Sequence, residues 1–222
     1  MNDITKHRRV NDILLGPLER PALKWLAEHS PVWITPDTLT LVGFIGTVVI
    51  TISYLLTRLH PGFLWLASLG YIINWYGDSL DGTLARHRHI ERPRFGFFID
   101  HTMDAIGELM VVLALGISPF VRFELACLVL IGYQLMSNVV FIITCVSGEF
   151  RISYGKLGPT EVRVLLILAN IVAFFTRDIL IRTPWIALTI FDIVIIIIAA
   201  LLFFFAIKTA IVKTIEFRNK GE

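Results

Sequence analysis

Apolar residues run along this 222-residue chain in long blocks, and the charged residues gather between them. Residues 38–57 carry no Asp, Glu, Lys or Arg, and neither do 59–77 or 125–148, while 183–207 carry only Asp192. A helix that crosses a bilayer needs about 20 mostly apolar residues, so each block predicts one. Two blocks are less uniform. Residues 95–117 hold Asp100, Asp104 and Glu108, and residues 160–181 hold Arg177 and Asp178 near their far end. The pattern predicts an all-α integral membrane protein with six transmembrane helices.

Ahead of the first block, Leu14, Leu15, Leu18, Ala22, Trp25 and Leu26 fall on one helical face, and Glu19, Arg20, Lys24 and Glu28 fall mostly on the other. This spacing predicts an amphipathic helix lying on the membrane surface, starting or kinking at Pro21. The first 30 residues hold no uncharged apolar stretch, so no cleavable signal peptide is expected. Thr35-Pro36-Asp37 offers an N-cap, a proline at the first helical position and an acid in the first turn. Pro159-Thr160-Glu161 does the same before the fifth block. With no internal repeat, the chain reads as a cytoplasmic amphipathic segment over 1–34 and one six-helix transmembrane catalytic domain over 35–222.

Composition agrees. The chain is 55% hydrophobic and 17% charged, with a mean hydropathy of +0.72; a soluble domain has about 45–50% apolar and about 25% charged residues. Disorder, a collagen-like repeat, a disulfide scaffold and a nucleic-acid-coating protein are excluded. Cys127 and Cys145 lie 18 residues apart in one apolar run, roughly 27 Å along a helix, too far to bond to each other.

The net charge of +2 matters less than where the charges sit. With six spans, 16 of the 20 Lys and Arg residues fall on the side that holds both termini and the loops at 86–94 and 148–163. The positive-inside rule makes that side cytoplasmic. It also brings the end of the second span and the start of the third to the cytoplasmic face.

Five acids stand at that face. An aspartate at a helix centre costs about 2.5–3.5 kcal/mol on insertion scales, so their presence asks for a reason. Asp78, Asp81 and Ala85 share one helical face, and Gly96, Asp100, Asp104 and Glu108 share another. The two helices are joined by a short basic loop and are expected to be neighbours, with four aspartates pointing at each other. Four carboxylates in a small volume repel, and two divalent cations would balance them. All-oxygen ligands suit Mg²⁺, Mn²⁺ or Ca²⁺, and two metals about 4 Å apart clamp displacements at phosphorus. Gly82, Ala85 and Gly96 leave room for a bulky ligand at the backbone, and Arg86 is placed to grip phosphate.

Asp78-Ser-Leu-Asp81-Gly82-Thr-Leu-Ala85-Arg86, followed by Gly96-Phe-Phe-Ile-Asp100-His-Thr-Met-Asp104, resembles the signature of the CDP-alcohol phosphotransferases. All eight fixed positions are met, with a nine-residue spacer over 87–95. The resemblance implies a six-helix membrane fold, usually homodimeric, with an active site open to the cytoplasm of the cell's inner membrane or its equivalent. It implies transfer of a substituted phosphoryl group from a CDP-linked donor to an alcohol, with release of CMP, in phospholipid biosynthesis. By position, Asp78, Asp81, Asp100 and Asp104 hold two Mg²⁺ ions, with Mn²⁺ as a substitute. Asp104 is also the general base on the acceptor hydroxyl, and Asp81, Gly82, Ala85 and Arg86 border the CDP moiety.

Within the resemblance two divisions of substrate are open. Compact length favours CDP-diacylglycerol with a soluble alcohol. Asp100-His101 and Thr160-Glu161-Val162 look more like enzymes that use CDP-choline or CDP-ethanolamine with diacylglycerol. Arg151, Lys156 and Arg163 either grip a phosphate or serve orientation alone, and Arg88, Arg92 and Arg94 carry the same choice with anionic lipid. Glu108 and Glu161 read as helix-capping or pairing groups before acceptor-pocket ones, and Asn170 as an interhelical hydrogen-bonder. Asp192 reads as a partner across helices or at a dimer contact, and His101 receives no catalytic role. A divalent-cation transporter is the rival of another class, but no comparable acids continue a path to the other membrane face.

Overall fold

The computed structural model describes residues 8–10, 14–147, 149–151, 158–176, 180–182 and 187–220. Lys6, Gly155, Lys156, Arg177 and Asp178 lie outside the described residues, and Arg151 is described in its backbone alone. Among the described residues seven helices follow in order: α1 (Gly16–His29), α2 (Pro36–Leu56), α3 (Phe63–His87), α4 (Pro93–Ile117), α5 (Phe123–Ser147), α6 (Pro159–Thr176) and α7 (Ile190–Lys220). Two short strand pairs accompany them. β1 (Arg8–Val10) runs parallel to β2 (Glu149–Arg151), and β3 (Leu180–Arg182) runs antiparallel to β4 (Ala187–Thr189).

The chain is an integral membrane protein. Helices α2, α5, α6 and α7 are long and apolar enough to cross a bilayer, and they turn large apolar side chains such as Leu41, Ile131, Phe175 and Phe204 outward. Helices α3 and α4 are also 25 residues each, about 38 Å long at helical rise. Their polar and acidic residues keep them out of that apolar set.

Several boundaries differ from the sequence pattern. The second block continues as helix through the aspartates to His87, the fifth ends at Thr176 rather than 181, and the last begins at Ile190 rather than 183. A reciprocal cap sets that last start. Thr189 N donates to Asp192 Oδ2 at 2.9 Å, and Asp192 N donates to Thr189 Oγ1 at 3.0 Å. Asp192 Oδ1 accepts from Arg122 N, tying α7 to the start of α5. The one acid of that apolar block is thus a buried capping group.

Helix α1 departs from expectation in two ways. It begins at Gly16, with Pro17 in its first turn, and runs through Pro21. Its protein-facing side is set by Leu23 and Ala27, which pack with Leu39, Leu80 and Leu84. Leu14, Leu18 and Trp25 point away and stay exposed. Glu19, expected on the polar face, turns inward and accepts hydrogen bonds from Trp75 Nε1 and Thr160 Oγ1.

Helices α2 and α3 pack backbone to backbone. A Cβ on Gly77 would stand 2.2 Å from Gly43 N, and one on Gly46 would stand 2.5 Å from Asn74 N. Small residues permit this approach between membrane helices, where packing replaces the hydrophobic drive. Contact with α2 also corrects the expected pairing of the acidic helices: α3 and α4 each pack on α2 and hardly touch one another. The turn between them is a Schellman-type stop. Ile90 N donates to Ala85 O and His89 N to Arg86 O, with His89 at φ 56°, in the left-handed region usually held by glycine.

Candidate active site

Helix α3 carries Asp78 and Asp81 one turn apart, and α4 carries Asp100 and Asp104 one turn apart. Although the helices splay across α2, the charges share one region. Asp104 feels the charges of Asp78, Asp100 and Asp81, and Asp81 feels those of Asp78 and Asp100. The four carboxylates thus lie near enough to one another to interact through their charges.

The four carboxylates have different surroundings. Asp81 is buried, 6% exposed. Its Oδ2 accepts from Thr40 Oγ1 on α2 at 2.7 Å, and its Oδ1 accepts from Gly82 N at 2.5 Å. Asp78 is engaged by Arg163 of α6, whose Nη2 donates to Oδ2 at 2.5 Å. Arg163 Nε donates to Asn74 Oδ1 at 2.7 Å, and Asn74 Nδ2 donates to Gly43 O and Thr47 Oγ1. Asp100 is half-buried, and Asp104 is exposed.

Beside them, Arg86 is exposed and lies back over its own helix, with Nη1 3.3 Å from where a Gly82 Cβ would stand and Nη2 donating to Thr83 Oγ1. Nothing lies within 4 Å of a Cβ on Gly96. Asp81, Gly82, Ala85 and Arg86 thus present small residues and one cation along a single stretch of α3. One turn beyond Asp104, Glu108 hydrogen-bonds Tyr133 of α5.

The donor chemistry fits a hard divalent cation, since only oxygens are offered and several negative charges meet. As they stand, no three His, Cys, Asp or Glu side chains among the described residues are gathered tightly enough to hold a metal ion. Arg163 holds Asp78 and Thr40 holds Asp81.

The structure also resolves several open choices. Arg88 gives its guanidinium to the carbonyls of Ser30, Pro31, Val32 and Ile34, fastening the α1–α2 turn to the end of α3. Arg92 pairs with Asp37 and stacks over Phe95. Glu161 accepts from Leu15 N and Gly158 N, so it joins the starts of α1 and α6. Asn170 bridges Tyr54 and Ser68 between helices, and His101 packs between Phe97 and Phe141. Thr40 and Asn74 escaped the sequence reading. Asn74 lies one helical turn before Asp78, and that spacing is the one sign it gave.

The profile of the CDP-alcohol phosphatidyltransferase family matches residues 33–214. Over 164 residues the chain is 29% identical to cholinephosphotransferase 1 of Danio rerio, covering 68% of this chain and 41% of that protein. It is 31% identical over 174 residues to cholinephosphotransferase 1 of Gallus gallus, covering 73% and 50%. It is 31% identical over 121 residues to archaetidylinositol phosphate synthase of Pyrococcus horikoshii, covering 54% and 59%. The chain spans half the length or less of these two cholinephosphotransferases.

Proposed function

The chain belongs to the CDP-alcohol phosphatidyltransferase family, and on that premise we propose that it transfers a substituted phosphoryl group from a CDP-linked donor to an alcohol, releasing CMP. The observation that carries this reading is the convergence of four aspartate charges between α3 and α4, beside Gly82, Ala85 and Arg86. A cation transporter would use the carboxylates but would leave that small-residue stretch and its arginine without a role.

In this reading the CDP moiety lies along Asp81, Gly82, Ala85 and Arg86, with Arg86 against phosphate. Asp78, Asp81, Asp100 and Asp104 hold two divalent cations, Mg²⁺ or Mn²⁺. Bound there, such ions neutralise the pyrophosphate and the leaving CMP. Asp104, which is exposed, accepts the proton of the acceptor hydroxyl as its oxygen bonds to the donor phosphorus and the bond to the CMP oxygen breaks. Beside cations a carboxylate is a weak base, so Asp104 contributes through position and through charge that develops in the transition state. Thr40 and Gly82 N–H fix Asp81, so one ligand is oriented before substrate arrives.

The same reading has α3 and α4 as the second and third of six spans, with both termini and the site at the cytoplasmic face. Helix α1 lies on the membrane surface, with Leu14, Leu18 and Trp25 in lipid, and the protein is a homodimer. A phosphatidyl group from CDP-diacylglycerol is one assignment of the donor. The relatives named cholinephosphotransferase favour a second, with CDP-choline as donor and diacylglycerol as acceptor.

The test is Mg²⁺-dependent CMP release from purified protein in lipid nanodiscs. CDP-diacylglycerol with a pool of small alcohols is compared with CDP-choline and CDP-ethanolamine plus diacylglycerol. CMP from one mixture names the donor, and leaving out alcohols one at a time names the acceptor. Folded protein that binds no CDP overturns the reading.

A further inference from the structure

Arg163 reaches the acidic site from outside the motif. It stands in the second turn of α6, and its side chain is 12% exposed. Its guanidinium is gripped at two points, by Asn74 through Nε and by Asp78 through Nη2. Asn74 is itself held by Gly43 O and Thr47 Oγ1 of α2. Three helices therefore cooperate to keep one positive charge on one carboxylate of the cluster. Its Nη1 is buried without a hydrogen-bond partner, so the placement leaves one donor unmet, a cost that a freely chosen surface pairing would avoid.

We infer that Arg163 is a resident counter-ion of the site: it neutralises Asp78 and competes with a divalent cation for that carboxylate. The inference rests on the proposed metal role of the aspartates. One oxygen of Asp78 is occupied by Nη2, and a cation on the other would stand beside a like charge in a poorly solvated place, where repulsion is strong. Arg163 thereby lowers cation affinity and holds Asp78 oriented through the Asn74 strut. A residue that merely braced a metal ligand would act in the opposite sense, since losing outer support weakens metal binding. The two roles are separated by the direction of one measurement.

That measurement is Mn²⁺ affinity in nanodiscs, read from the electron paramagnetic resonance signal of free Mn²⁺, without substrate. For Arg163→Gln the dissociation constant is expected to fall about tenfold through loss of the opposing charge. Melting temperature without added metal should drop, and the rise in melting temperature on adding Mn²⁺ should grow. Arg163→Lys keeps a charge and should bind Mn²⁺ as the parent does. Asn74→Ala loosens the guanidinium without removing it and should give an intermediate affinity, which keeps the test open should Arg163→Gln fail to fold. Unchanged or weaker Mn²⁺ binding by Arg163→Gln and Asn74→Ala overturns the counter-ion role while leaving the metal reading intact. No Mn²⁺ binding by the parent, or binding indifferent to Asp78→Asn, overturns both.

Discussion

Asp81 and Asp104 are the same residue type in one motif, yet the fold gives them opposite surroundings. Asp81 is buried and held by Thr40 and Gly82 N–H, whereas Asp104 is exposed. A held carboxylate suits a fixed ligand, and an accessible one suits contact with the acceptor hydroxyl. Asp104→Asn keeps the shape and removes the proton acceptor, so turnover should fall by about 10²–10⁴-fold, the usual worth of general base catalysis. Single-turnover CMP release checks this, and an unchanged melting temperature shows that folding is intact. The aspartates, Gly82, Ala85 and Arg86 were legible in the sequence because their spacing is local to two helices. Thr40's tie to Asp81 and Arg163's place on Asp78 were not, because each is a contact between residues far apart in sequence.

Among the elements, α2 decides more than its featureless apolar sequence suggests. It carries none of the motif, yet both acidic helices lean on it, and the glycines at 43, 46 and 77 set how closely α3 approaches. An added methyl on Gly77 would meet backbone atoms of Gly43 and Leu39, which cannot rotate away. Gly77→Ala should therefore cost about 1–3 kcal/mol, the range for overpacking a tight contact, and lower the melting temperature measured in detergent. Gly96→Ala is the control: open space surrounds that Cβ, so no steric loss is expected. Helix ends were readable where a cap is local, as at Thr35 and Thr38 of α2. At α1, where Pro21 suggested a start or a kink, the helix begins earlier, at Gly16, and runs through the proline, with Leu23 and Ala27 docked beyond it.

For the whole molecule, outward apolar side chains and the charge pattern along the chain bear on topology. Four helices are long and apolar enough to span a bilayer, and α3 and α4 complete six if their acids end at one face. Single cysteines placed in exposed positions test this in a background where Cys127 and Cys145 are replaced. Cysteines at Glu91 and near both termini should react with a membrane-impermeant maleimide only from the cytoplasmic side, and one at Arg58 only from the other. Labelling of Arg58 and Glu91 positions from the same side would overturn the arrangement.

The sequence by itself determined the class of the protein, its blocks of helix and the eight-position motif, because hydropathy and helical spacing act over stretches that the linear chain displays. Tertiary structure alone decided that α2 stands between the acidic helices, that Glu19 and Arg88 turn inward to bind the scaffold, and that Arg163 sits on Asp78. Those outcomes depend on contacts between residues far apart in sequence. Which of several polar side chains meets a given carboxylate is settled by how the helices pack against one another, a three-dimensional quantity with no local signature.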